Sequence, residues 1–499
     1  MPLPENSSRP MNGAEFIESI RDDREIYVYG ERVKDVTEHP AFRTPVRSMA
    51  RLYDALHDGR VKTVPTDTGN GGYTHPFFKM ATSAEDMLDA KEAMSQWARL
   101  TYGWMGRTPD YKAAFLGTLK VNDEFYGEYR ENALRWYKES QEKILYWNHA
   151  LINPPIDRNL PPDEVGDVFL HVVKETDSGV VVSGAKVVAT GSAMTNMAFL
   201  GYAGAPVRDK KFAIVAGIQM NTPGVKLISR TSYSQTAEET ATPFDYPLSS
   251  RFDENDAILI LDNVLIPWEN IFLYGDVEQF NMFGPKSGFA HRLTFQGATR
   301  LAVKVDFITG LLSKSLAMTG TKEFRGVEMR LGEVMAWRST FWAIADEMAR
   351  NPVPWLNGSV QPNPDAVNSY RWLSMVGYAR IREIVLQDLG SGLIYLPSSV
   401  KDFKSPELRP YLDKYVRGSG GIGAEERVKT LKMLWDAVGT EFGGRHELYE
   451  RNYQGSHEQV RLLVHWDAVG SGKERELEEF AEQAMSEYDL DGWTLPDLK

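Results

Sequence analysis

Arg107 and Tyr111 share one short segment, and His149 stands in another; these types could together handle a proton and an anion. The first segment reads Tyr102-Gly103-Trp104-Met105-Gly106-Arg107-Thr108-Pro109-Asp110-Tyr111. Thr108, Pro109 and Asp110 have the pattern of an N-cap, a proline at the first helical position and an acid in the first turn. Arg107 then lies just outside a helix N-terminus, with Tyr111 one turn inside it. Free N–H groups, the positive end of the helix dipole, a guanidinium and a phenol could converge there on an anion, such as a phenolate or a peroxide. The same residues also fit a capped surface helix whose arginine pairs with an acid.

His149 sits in Tyr146-Trp147-Asn148-His149-Ala150-Leu151-Ile152-Asn153-Pro154-Pro155. An aromatic and apolar run before two prolines predicts shielding near a helix end. Burial disfavours imidazolium, leaving a neutral base near neutral pH; a structural histidine bonded to a carbonyl is the alternative. None of the nine histidines shows spacing such as His-x-x-x-His, and there is no cysteine, so no metal centre, thiolate nucleophile or iron–sulfur cluster is expected.

Two glycine-rich stretches suggest phosphate sites. Gly418-Ser419-Gly420-Gly421-Ile422-Gly423 matches Gly-x-Gly-x-x-Gly, but it follows a charged segment outside any βαβ pattern and reads as an inter-helix loop. In Asp436–Glu447 a helix is expected to end at a glycine pair. Backbone N–H groups and Arg445 could approach a phosphate there, or the glycines could simply cap the helix.

The elements that must carry these residues change texture twice. Helical patterning runs from Gly13 to about Leu151, with a cap signal at Thr82–Glu85 followed by Met87, Ala90, Ala93 and Trp97. From Asp167 to Phe272 the pattern is β. Strand-like runs flank the turn Asp177-Ser178-Gly179, and Val187–Ala189, Phe212–Val215, Val225–Ile228 and Ala257–Leu261 continue the set. Without helix-length connections, an antiparallel sheet or small barrel is expected. After Ser287 helices return. Val327, Leu331, Val334, Trp337, Phe341, Ile344 and Met348 mark one face of a long helix, and another spans Ala424–Val438. The expected domains are an N-terminal helical one (1–150), a central β-barrel (151–280) and a C-terminal helical bundle with tail (281–499). Wide apolar helix faces point to a homo-oligomer.

The 499 residues carry a net charge of −13 with no basic block, which argues against nucleic acid. No apolar run is long enough to span a membrane, and no signal peptide is evident, so a cytoplasmic enzyme is expected.

Several blocks carry a resemblance: Arg24–Thr37, Tyr102–Ala113, Asn153–Arg158, Pro247–Asp256 and Gly443–Glu450. Through them the chain resembles the 4-hydroxyphenylacetate 3-monooxygenase family, the oxygenase components of two-component flavin-dependent phenol hydroxylases, over nearly its whole length. The resemblance implies an α+β, acyl-CoA dehydrogenase-like fold and a homotetramer. It also implies FADH2 delivered by a separate NAD(P)H:flavin reductase, O2 as co-substrate, and ortho-hydroxylation of a para-substituted phenol through a flavin C4a-hydroperoxide.

Carried over by motif, Arg107, Tyr111 and His149 would hold the phenolic oxygen. His149 would act as base and the other two would stabilise the oxyanion. Implied flavin contacts are His149, Ala150, Leu151, Pro155, Ile156, Asp157, Arg158, Thr190, Thr440, Glu441, Phe442 and Gly443. The substrate loop departs from the pattern: where relatives acting on 4-hydroxyphenylacetate have Gly-Ser-Ala, Gly204 and Ala205 stand in a compact Gly201–Lys211 stretch. That lean favours 4-coumarate or tyrosine-type phenols, including halogenated or carrier-protein-tethered ones. Of the rivals, a 4-hydroxybutyryl-CoA dehydratase would need cysteines for its cluster. An acyl-CoA dehydrogenase would need a catalytic carboxylate over the flavin, and a flavin-storage protein would leave Arg107, Tyr111 and His149 no reason to converge.

Overall fold

Capping residues set the first helices. A computed structural model describes residues 8–157, 159–160, 164–202 and 204–498. Asn12 and Glu15 close a reciprocal capping box on α1 (Gly13–Ser19). After β1 (Glu25–Val28) and α2 (Arg43–Asp54), Ser83 accepts from the amide of Asp86 and starts α3 (Ala84–Leu100), with Met87, Ala90, Ala93 and Trp97 buried as expected. Then come α4 (Pro109–Leu116) and α5 (Arg130–Lys143).

The helix predicted from Thr108-Pro109-Asp110 forms, but it is no surface helix. All eight residues of α4 are buried, Asp110 and Lys112 included. It has no polar face because long-range packing encloses it: a long C-terminal helix, α5 and a strand lie against it. The Phe115 ring meets Phe199, Phe272, Phe283 and Phe289 at centroid distances of 4.5, 5.2, 5.8 and 6.1 Å. Such ring pairs add about 0.5–1.5 kcal/mol each beyond area burial, so this cluster anchors the helix that carries Tyr111.

The central strands are β2 (Trp147–Ala150), β3 (His171–Thr176), β4 (Gly179–Lys186), β5 (Met197–Leu200), β6 (Ile214–Gln219), β7 (Val225–Ser229), β8 (Ala257–Pro267) and β9 (Ile271–Tyr274). They form two sheets. The six-stranded one runs from the two-residue strand Glu31–Arg32 through β1, β7, β8, β4 and β3. The four-stranded one runs β9, β6, β5, β2. The hairpin predicted around Asp177–Gly179 is β3–β4.

Three readings change. Most pairs are antiparallel, but β1–β7 and β2–β5 are parallel because strands from the first 150 residues insert into the sheets. His149 belongs to β2, opposite Phe199, and not to a helix end. Val187–Ala189 is not a strand continuation: Val188 and Ala189 take φ of 70° and 27°, which breaks the ladder. A β-branched residue rarely adopts such a backbone, and strain of this kind persists only where surrounding structure holds it.

The C-terminal helices are α6 (Phe289–Thr319), α7 (Arg325–Arg350), α8 (Pro364–Ile394), α9 (Ala424–Val438), α10 (Glu441–Asn452), α11 (His457–Gly470) and α12 (Lys473–Met485). On α7, Val327, Val334, Phe341 and Met348 are buried, with Leu331, Trp337 and Ile344 partly so. The glycine-rich match at 418–423 is an inter-helix loop before α9. The order of helices, sheets and helices is that of the expected acyl-CoA dehydrogenase-like class. Among the described residues no helix is long and apolar enough to cross a membrane.

Candidate active site

Close backbone approach builds the entry to α4. A Cβ on Gly106 would stand 2.2 Å from the Tyr449 hydroxyl, and one on Gly103, at φ 76°, would meet Lys304 at 2.6 Å. Only glycine fits so near a neighbour. The Arg107 amide donates to Glu254 Oε1 at 2.6 Å. Thr108 donates its hydroxyl to Asp110 Oδ1 at 2.5 Å and makes no side-chain cap bond to the helix.

The Arg107 guanidinium therefore turns into the protein. It lies 3.8 Å from the ring centre of Tyr111, 4.9 Å from Tyr453 and 5.1 Å from Tyr449. Burial opposes its charge, but the tyrosines and Glu254 outweigh that and hold its proton more tightly than usual. Its Nη1 is buried without a hydrogen-bond partner among the described residues. A bare charged donor is costly, and a ligand anion is the kind of group that would satisfy it.

The Tyr111 ring meets His149 at 5.3 Å, edge to face. Burial pushes the Tyr111 phenol up to about 12, against the pull of Arg107 and Arg300, so it remains a neutral donor at neutral pH. Burial first, then Lys112 and Arg107, hold His149 well below the usual histidine range, although its side chain keeps partial exposure. Asp110 is pushed up to about 6 by burial, with Thr108 and Gln296 opposing. The structure thus brings Arg107, Tyr111 and His149 together, through contacts the sequence did not specify.

Several participants were missed. Lys112 Nζ lies 2.9 Å from His149 Nδ1. Tyr449 of α10 and Tyr453, just past its end, present rings to Arg107; their four-residue spacing after Arg445 was the available signal. Behind them Glu450 receives Arg300 at 2.5 and 2.8 Å and Lys304 at 2.9 Å.

A second cluster surrounds Thr190. Gly191 (φ 77°) donates its amide to the Asn255 carbonyl at 2.9 Å, and Asn255 itself has φ 39°. The Thr190 hydroxyl donates to Asp256 at 2.6 Å, while Arg445 reaches both oxygens of that carboxylate at 2.6 and 3.0 Å. Despite its burial, Arg445 and Arg230 hold Asp256 far below the ordinary carboxylate range. Arg445 is therefore committed to Asp256 and is not a free phosphate ligand.

Gly443 and Gly444 lie inside α10, and Gly439 is the residue that ends α9. Thr440 caps α10 by accepting from the Gly443 amide at 3.2 Å. Phe442 is buried and Glu441 exposed, and a cleft of about 300 Å³ opens here between Tyr233, Tyr246, Trp435 and Thr440.

Of the remaining predicted contacts, Ala150 and Leu151 are buried, whereas Pro155, Ile156 and Asp157 are exposed. Arg158 lies outside the described residues. Gly204 and Ala205 are exposed on the loop after β5. Lys186 ties the start of that loop to the 151–153 segment, donating to the carbonyls of Gly201 and Leu151 at 2.7 and 3.2 Å and to Asn153 Oδ1 at 2.8 Å.

These groups fit a flat cofactor with polar edges. Buried polar atoms without partners among the described residues include Tyr146 Oη, Ser192 Oγ and Tyr449 Oη as well as Arg107 Nη1. A Cβ on Gly191 would come within 3.0 Å of Tyr146 Oη.

Comparison with known proteins gives consistent results. The family models for the 4-hydroxyphenylacetate 3-hydroxylase N terminal and C terminal match residues 12–273 and 280–482. A Streptomyces globisporus monooxygenase of (3S)-3-amino-3-(3-chloro-4-hydroxyphenyl)propanoyl-[peptidyl-carrier protein] is 59% identical, over 99% of this chain and 94% of its own. The oxygenase component of a Rhodococcus 4-nitrophenol 2-monooxygenase is 58% identical, over 99% and 95%. A crystal structure of the oxygenase component of 4-hydroxyphenylacetate 3-monooxygenase, complexed with FAD and 4-hydroxyphenylacetate, superposes with a TM-score of 0.89. It is 30% identical and covers 95% of this chain and 99% of its own.

Proposed function

The chain belongs to the 4-hydroxyphenylacetate 3-hydroxylase family, and from that premise we propose that it is the oxygenase component of a two-component phenol monooxygenase. It hydroxylates a para-substituted phenol ortho to its hydroxyl. The observation that carries this reading is the buried Arg107 guanidinium with a bare Nη1, beside Tyr111 and a neutral His149.

Reduced FAD, delivered by a separate reductase, supplies when bound the two electrons with which dioxygen is activated. The residues suited to hold it are His149–Leu151 with the Pro155–Asp157 segment, the Thr190–Gly191 turn and the Thr440–Gly443 helix start. The chain's own work is electrostatic. A phenol is a weak acid with pKa near about 10, and sharing its proton makes the ring more nucleophilic. His149 takes that proton, while Arg107 and Tyr111 stabilise the oxyanion with donors already in place. Enclosure of α4 keeps water from the reacting ring.

Gly204 and Ala205 give the substrate loop an exposed, side-chain-poor stretch. Together with the carrier-dependent relative, this supports a second reading: the same chemistry on a tethered tyrosine-type or halogenated phenol. Leu462, Trp466, Leu477 and Phe480, exposed on α11 and α12, suit burial between subunits of a homotetramer.

The test mixes the anaerobic protein and reduced FAD with oxygen in the presence of 4-hydroxyphenylacetate, 4-nitrophenol, 4-coumarate, L-tyrosine or a carrier-bound tyrosyl group. An ortho-diol from at least one is expected. Flavin oxidation yielding only hydrogen peroxide across the whole panel would overturn the assignment.

A further inference from the structure

Lys112 plays no part in the reading above, yet its geometry is unusual. Its side chain is fully buried, and among the described residues its Nζ has one polar partner, His149 Nδ1 at 2.9 Å. Its other neighbours are ring faces: Phe199 at 4.2 Å, Phe289 at 4.7 Å and Tyr111 at 5.5 Å from Nζ. Two nitrogen bases thus share one hydrogen bond inside an aromatic box.

Charged and titratable groups around the pair are few. Arg107 faces it from the loop before α4 and Tyr111 from α4 itself. Tyr453, just past the end of α10, packs on Tyr111 at 6.1 Å. β5 contributes the Phe199 ring and α6 the Phe289 ring. Glu254 is spent on the amide of Arg107 and reaches neither base. With a guanidinium beside them and no carboxylate bonded to either among the described residues, burial first and then Arg107 push Lys112 below its ordinary range, and burial, Lys112 and Arg107 do the same to His149.

A neutral pair can hold its hydrogen bond with His149 Nδ1–H donating to the Lys112 lone pair. Nε2 is then bare and able to accept. We propose that Lys112 is the positioning residue of a two-base relay, taking from His149 Nδ1 the equivalent of the proton that His149 Nε2 removes from the phenol. In this step the phenolic O–H bond breaks, its electron pair stays on oxygen, and Nε2–H forms. Nδ1–H breaks as the Lys112 lone pair forms a new N–H bond. The end state has a phenolate against Arg107, a neutral His149 and an ammonium held against three ring faces, where cation–π attraction stabilises it. Positive charge is thereby moved one residue away from Arg107. The inference rests on the phenol-site reading.

The test needs no turnover. 4-Nitrophenol changes its visible absorbance on ionisation, so the bound ligand reports its own proton, and calorimetry in buffers of different ionisation heat counts protons exchanged. Above the pKa of the free ligand, binding of the phenolate to the full-length protein should take up close to one proton. K112M should raise the midpoint of the bound ligand by about one pH unit or more, a tenfold shift. K112R keeps a cation but has no lone pair, and should lose most of the uptake. If K112M fails to fold, K112Q replaces it beside K112R. A midpoint unchanged by K112M or K112Q, or full uptake in K112R, overturns the relay alone. Failure of the parent protein to bind any phenol of the panel would remove the phenol site and the relay with it.

Discussion

Replacing Arg107 tests the site most directly. The guanidinium stands over Tyr111 at 3.8 Å with Tyr449 and Tyr453 close by, and its Nη1 has no partner among the described residues. A hydrogen bond to a charged group contributes about 1.5–3 kcal/mol, which is roughly 10- to 150-fold in an equilibrium or rate at about 1.36 kcal/mol per decade. Arg107→Met should therefore weaken phenolate binding and slow diol formation by about that factor. Arg107→Lys keeps a charge but loses the planar fork, and should fall between. Folding should suffer far less. The variant loses cation–π contacts of about 0.5–2 kcal/mol each, but it also removes the desolvation cost of a buried charge. The assay pairs 4-nitrophenol titration and single-turnover diol yield with thermal unfolding. Binding and turnover both within about twofold of the parent would refute the reasoning, because a charged donor that bonds the bound phenolate cannot be that cheap to remove.

Two further expectations concern buried charges outside the reacting centre. Glu450 neutralises Arg300 and Lys304, and they hold it at about 2 despite its burial. Glu450→Gln leaves the Arg300 cation buried without its counter-charge and should cost about 3–5 kcal/mol at neutral pH by denaturant unfolding. An acid with a depressed folded pKa stabilises above its unfolded value. The gap between parent and variant should therefore narrow as pH falls from the ordinary 4.5 toward about 2, and a pH-independent gap would contradict this. Lys186 donates to three neutral oxygens, and burial lowers it from 10.5 to about 7. The unfolded chain binds more protons between those values, so this group makes stability rise with pH from about 7 to 10.5, by at most about 5 kcal/mol. Lys186→Met should flatten that rise in unfolding curves; an unchanged slope would show that Lys186 is not its source.

What the sequence determined by itself were features whose cause lies within a few residues. Thr108-Pro109-Asp110 started α4, Ser83 capped α3, and the bounds of α9 at Ala424 and Val438 fell as its periodicity predicted. The glycine-rich match before α9 is a loop, because a phosphate fingerprint needs a βαβ context and none precedes it. The block resemblance pointed to the family and its chemistry. Tertiary structure alone decided how the site is tuned. Glu254 reaches the Arg107 amide across 147 positions, and Lys112 reaches His149 across 37. No local pattern encodes such pairs. Burial of all of α4 turned Asp110, Lys112 and His149 away from their ordinary ionisation, since desolvation acts through every neighbour at once. Arg107 and Tyr111 were legible as residues able to face an anion; that they stand beside His149, itself paired with Lys112, came only from the packing of α5, α6 and β2 around them.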